Sequence, residues 1–197
     1  MPTSASGPFT LLRGALGAQE RKFCVSVVVN PCEVRSSRVG SGVAEGRSMI
    51  SFKTILVPTD FSDAAHKALE YAVELAERLG AKVRVIHAFE LPLVGFPDGT
   101  MTVTAEMATR ITVAAQTALD DIVSKYKDRG IDLEASLAQG DPREAVLDAA
   151  EKLGADLIVM GTHGRRGIAR ALIGSVAESV VRTSSIPVLT LREGRHT

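Results

Sequence analysis

Cysteine is scarce in this 197-residue chain, which has only Cys24 and Cys32, both near the N-terminus. Their spacing is not Cys-x-x-Cys and no histidine pair accompanies them, so a zinc site is disfavoured. The remainder has no cysteine at all, which fits a reducing cytoplasm. Long hydrophobic runs are also missing. Apolar windows such as Val27–Val29 fall far short of the roughly 18 residues needed to span a bilayer. A net charge is absent as well, with 23 Lys+Arg against 23 Asp+Glu. The balance is uneven, however. Residues 1–48 hold 6 basic and 3 acidic residues, a net of +3, leaving 23 − 6 = 17 basic and 23 − 3 = 20 acidic, a net of −3, for the rest. A mildly acidic body lacks the basic face that general nucleic-acid binding needs.

With 45% hydrophobic and 23% charged residues, the composition is that of one soluble globular domain. A chain of this size buries about two-thirds of its unfolded surface, so neither disulfide nor metal is required for stability. Residues 1–48 scatter Ser, Gly, Arg and Pro without period, apart from a brief apolar piece at 23–29. They are expected to be a disordered or wrongly included extension, with 49–197 as the domain. Met49 two residues before the regular pattern, and Ala44-Glu45-Gly46 upstream, suggest translated upstream sequence. A disordered tail and an organelle transit peptide remain as alternatives, the latter weakened by Glu20, Glu33 and Glu45.

From Met49 onward strands and helices alternate. Lys53–Val57 reads as a short buried strand ending at Pro58-Thr59-Asp60. Ser62 is a good N-cap for a helix with one apolar stripe (Ala65, Ala68, Leu69, Ala72, Val73, Ala76, Leu79), stopped by Gly80. A strand over Lys82–Phe89 and a loop over Glu90–Thr100 follow. The spacing then predicts a helix from Ala105 to Arg129, with Met107, Ile111, Ala115, Ala118, Ile122 and Tyr126 inward. Ile131–Leu137 alternates like an edge strand, Asp141-Pro142 opens a helix to Leu153, and Ala155–Met160 is a fourth strand. A helix at Ser175–Thr183 and a fifth strand at Ile186–Leu191 close the pattern. Such alternation implies a parallel sheet covered on both faces, which binds ligands at the carboxyl ends of its strands.

One motif carries chemistry. Gly161-x2-Gly164-x9-Gly174-Ser175 lies between the fourth strand and the helix from Ser175. Glycines let backbone N–H groups approach an anion, and a helix N-terminus favours negative charge. Two clusters held apart by a loop suit an extended polyphosphate, so a nucleotide is the first hypothesis. The bland reading is that the glycines only serve turns. Arg165, Arg166 and Arg170 could neutralise phosphate, although each alone reads as solvated surface. No Gly-Lys-Ser/Thr and no Gly-x-Gly-x-x-Gly is present, which disfavours Walker and dinucleotide sites. Asp60 could accept from a ribose hydroxyl pair or help place a metal; its bland reading is a cap ahead of Ser62. The histidines offer no Ser-His-Asp set, and no paired carboxylates with a shared pocket emerge from spacing.

The stretch Lys53-Thr-Ile-Leu-Val-Pro-Thr-Asp-Phe-Ser62, the glycine motif, and Ser185-Ile-Pro-Val-Leu189 together resemble the universal stress protein (UspA-like) family over about residues 50–193. The resemblance implies a Rossmann-like α/β domain akin to the adenine nucleotide alpha hydrolases. Its five parallel strands, numbered from Lys53–Val57, would lie in the order 3-2-1-4-5. It also implies an ATP site, with Mg²⁺ as a candidate companion. Pro58, Thr59 and Asp60 would border adenine and ribose, and Ala88 would meet the adenine through its backbone. Met160 and Gly161 would line the nucleotide, Gly164 and Arg165 the ribose-phosphate part, and Gly174, Ser175 and Val176 the outer phosphates. Family members usually dimerise through the last strand, here Val188, Leu189, Thr190 and Leu191, an apolar edge that would otherwise be exposed. The expected role is an ATP-binding stress-response module, cytoplasmic and homodimeric, with at most slow hydrolysis. A slow ATPase or nucleotide-transferring enzyme, and an interaction module without nucleotide, are the alternatives.

Overall fold

The computed structural model describes residues 23–28, 51–91, 94–95, 101–102, 104–162 and 174–193. In chain order the strands are β1 (Phe23–Val28), β2 (Thr54–Pro58), β3 (Lys82–Phe89), β4 (Val94–Gly95), β5 (Met101–Thr102), β6 (Leu133–Gln139), β7 (Leu157–Gly161) and β8 (Val188–Glu193). The helices are α1 (Asp63–Leu79), α2 (Ala105–Tyr126), α3 (Pro142–Lys152) and α4 (Ser175–Thr183).

Local chemistry sets most of these limits. The Ser62 hydroxyl caps α1 by accepting from the Ala65 N–H at 3.3 Å, and Gly80 ends the helix at φ 65°, which a side chain would resist. Asp141 caps α3 ahead of Pro142. The expected second helix is α-helical to Tyr126 and finishes as a 3-10 turn over Lys127–Arg129.

The main sheet has the order β1-β8-β7-β2-β3-β6. Its five strands β6-β3-β2-β7-β8 are parallel and reproduce the expected 3-2-1-4-5 order. Helices cover both faces. Ile55, Val57, Val83, Val85, Val159 and Leu189 pack towards α1 and α2, while Leu56, Ile86, Ile158, Met160 and Val188 pack towards α3 and α4. Successive side chains of each strand alternate between the two layers.

Three expectations need correction. The sheet has six strands, because Phe23–Val28 joins it antiparallel to β8. Six residues on a sheet edge leave little local period, so the segment reads from sequence only as a brief apolar piece. The loop over 90–100 contains β4, which pairs with β5 in a ribbon too short to mark the sequence. The inner face of α2 is Ala115, Leu119, Ile122 and Tyr126, whereas Met107 is 38% exposed. No residue described from 104 to 114 is buried, so the helix enters the core only from its third turn.

Candidate functional site

β2 and β7 are parallel neighbours, with Ile55 opposite Leu157 and Leu56 opposite Ile158. The chain leaves β2 towards β3 on one side, and β7 is followed by β8 on the other. This is the point where strand order reverses, and sheets of this kind bind ligands beyond the carboxyl ends of the strands at such a point. Continuing the register puts Pro58 beside Met160, so the Thr59–Ser62 turn and the Gly161–Thr162 pair emerge together. The condition for these two loops to share one crevice, that their strands be neighbours, is met.

The turn after β2 is held by its own side chains. The Phe61 N–H donates to Thr59 Oγ1 at 3.1 Å. The N–H and Oγ of Ser62 donate to Asp60 Oδ1 at 3.1 and 2.6 Å. Such side-chain-to-backbone links over two residues fix a turn without help from a ligand. Phe61 sits at φ 62°, a left-handed conformation that bulky residues rarely adopt. Its ring lies 4.4 Å from that of His87, whose Nδ1 is 2.8 Å from the Thr59 carbonyl. A carbonyl only accepts, so Nδ1 carries the proton and donates. His87 is thus a buried strut beneath the turn. Phe61 has no counterpart in the sequence reading, because nothing local signals a left-handed phenylalanine.

The two described glycines of the motif, Gly161 and Gly174, differ. A Cβ on Gly161 would lie 2.9 Å from both the carbonyl carbon and oxygen of Ala64, and 3.0 Å from its Cβ. Gly161 is therefore needed for the first turn of α1 to cross the end of β7. Gly174 is different. It stands at φ −59°, ψ 149°, backbone that any residue adopts, directly before α4. As the residue before the helix, Gly174 has no side chain with which to cap the N-terminal amides of α4. Conformation therefore does not demand glycine at 174.

Thr162 ties these pieces together and was not singled out from sequence. Its N–H donates to the Leu191 carbonyl at 3.0 Å, and its own carbonyl accepts from the Gly174 N–H at 2.7 Å. Residues 162 and 174 thereby bring both ends of the motif to the same place beside β8. Among the other expected residues, Thr59 is buried, Pro58 and Asp60 are half-buried, and Ala88 is half-buried at the end of β3. The Met160 side chain is spent in the core beside α3 and α4. Ser175 is exposed and Val176 half-buried in the first turn of α4. Gly164 and Arg165, with Arg166 and Arg170, lie outside the described residues. No trio of His, Cys, Asp or Glu able to hold a metal occurs among the described residues. No described helix is long and apolar enough to cross a membrane.

The chain is also similar to known proteins in sequence and fold. A universal stress protein from Methanocaldococcus jannaschii is 34% identical over 144 residues, covering 72% of this chain and 83% of its own. Two solved structures, each 26% identical, share the fold. One is a universal stress protein in complex with cAMP, at TM-score 0.56, covering 73% of this chain and 99% of its own. The other is the universal stress protein of Archaeoglobus fulgidus in complex with dAMP, at TM-score 0.51, covering 73% and 100%. The sequence pattern of the Universal stress protein family matches residues 51–192, and the chain belongs to that family.

Proposed function

We infer that this protein binds ATP at the β2/β7 crevice and serves as a nucleotide-dependent stress-response module in the cytoplasm. The observation that carries this is the pairing at one sheet opening of a self-held Asp60 turn with an uncapped α4 N-terminus preceded by Gly174. Pro58, Thr59 and Asp60 would border adenine and ribose, with the Ala88 backbone facing the base. Amides of Gly174, Ser175 and Val176 would take the outer phosphates, where the positive end of the helix dipole meets negative charge. Binding of cAMP and dAMP by similar proteins supports an adenine nucleotide and leaves the phosphate count to this chain's own α4 terminus. If Mg²⁺ accompanies the nucleotide, Asp60 is the carboxylate at hand, and phosphate oxygens would have to complete its shell.

A homodimer joined along Val188–Leu191 fits this reading only in a form from which β1 has left β8. The test of nucleotide binding is to denature purified protein and identify any released small molecule by mass spectrometry, with ATP titrated calorimetrically into the emptied protein. An adenine nucleotide released or bound supports the assignment. Absence of both rejects it.

A further inference from the structure

The strand β1 lies outside residues 51–192, the part matched to the family, yet it takes the last position in the main sheet. It runs antiparallel to β8 over its whole length, from Phe23 opposite Glu193 to Val28 opposite Val188. Side chains join in. Val27 packs against the core layer under α1 and α2, and the Thr190 hydroxyl donates to the Ser26 carbonyl at 3.3 Å. The β8 edge is thus filled by the chain itself.

We propose that β1 is a built-in competitor for the β8 edge, which in the full chain keeps a second copy from pairing there. The proposal rests on the reading that β8 is the surface through which two copies would join. Tether geometry favours the chain's own strand. β1 ends at Val28 and β2 begins at Thr54, leaving 54 − 28 − 1 = 25 connecting residues. Because β1 is antiparallel to β8, which runs parallel to β7 and β2, Val28 lies at the same end of the sheet as the start of β2. The gap spans three strand spacings, about 14 Å. Twenty-five residues reach roughly 85 Å when extended. A tether of this kind presents its strand at an effective concentration on the order of millimolar. At micromolar protein, a second copy with equal pairing strength loses by about a thousandfold.

Hydrogen-bond alternation shows where to break the cap. The carbonyls of Pro187 and Leu191 accept from Ile158 and Thr162, so alternate residues of β8 turn towards β7. Thr190 therefore turns its backbone groups to β1, which puts Ser26 in a hydrogen-bonded pair with it. Ser26→Pro removes that donor at the centre of β1 and leaves the family-matched body untouched.

Two measurements test this on the full chain. With Cys24→Ser and Cys32→Ser as background, Ser26→Cys and Thr190→Cys should form a disulfide on mild oxidation, since paired antiparallel residues lie about 5.5 Å apart. Non-reducing electrophoresis should show it within one chain. Only interchain bonds, or none, overturn the cap itself. Sedimentation should show a monomer for the parent chain and a concentration-dependent dimer for Ser26→Pro. An intrachain disulfide with Ser26→Pro still monomeric overturns the competition, and does so because β8 is not a joining surface. A parent chain that is already dimeric with β1 held in its own sheet overturns it as well.

Discussion

Replacing Gly161 with alanine tests how closely α1 crosses the sheet. The new Cβ would stand 2.9 Å from two main-chain atoms of Ala64, where carbon contacts prefer about 3.5–4.0 Å. Relief therefore requires the first turn of α1 to move outward by somewhat under 1 Å. That turn is pinned by the Ser62 cap and by the His66 N–H to Ser62 carbonyl bond at 2.9 Å. Overpacking of this kind typically costs about 1–3 kcal/mol. Against it stands a gain of about 0.4–1 kcal/mol from a stiffer unfolded chain, available because Gly161 does not have positive φ. The expected net loss is about 1–2 kcal/mol, or roughly 2–8 °C in Tm for a protein of this size. Urea unfolding followed by circular dichroism would read it as a lower midpoint at unchanged slope. Ala64→Gly should restore little, since two of the three close atoms belong to the main chain. Gly174→Ala, at a backbone conformation open to any residue, should stay within about 0.5 kcal/mol of the parent. A Gly161→Ala protein as stable as the parent would refute the close crossing.

Gly174→Val should abolish ATP binding in calorimetry while leaving the circular dichroism spectrum and melting curve intact; normal binding would show that phosphate does not lie there. Asp156 accepts from the N–H groups of Lys53 and Thr54 at 2.8 and 3.0 Å, fastening the start of β2 to β7. Asp156→Ala should therefore cost about 1–2 kcal/mol in urea unfolding, with Asp156→Asn milder because it keeps an acceptor. Hydrogen bonds from Arg84 and then Lys82 lower the Asp132 carboxyl to a pKa of about 2. A depressed carboxylate stabilises the fold above its unfolded value near 4 and loses that contribution as pH falls towards 2. The stability gap between the parent and Asp132→Asn should accordingly be full above pH 4 and close as pH approaches 2. A gap independent of pH would disprove the linkage.

The parts of this protein legible in its sequence are those fixed within a few residues. Ser62 before an apolar stripe, Gly80 after it and Asp141-Pro142 each specify a helix end through contacts at most a few positions away. The alternation of strands and helices was legible for the same reason. The inner face of α2 was read partly out of phase, because burial begins only at Ala115 and includes Leu119. No local period reports where a helix meets a sheet.

Sequence by itself thus determined the alternation of elements, the family, and the residues that reach the carboxyl ends of the strands. The family resemblance already implied that β2 and β7 are neighbours, and the tertiary structure pairs them, Ile55 with Leu157 and Leu56 with Ile158. Tertiary structure also gave Gly161 a reason of its own, admitting the first turn of α1 across the end of β7. Above all, it decided what covers the β8 edge. The bond from Thr190 to Ser26 crosses 164 positions of chain, and pairings that distant depend on three-dimensional approach, which no window of neighbouring residues encodes.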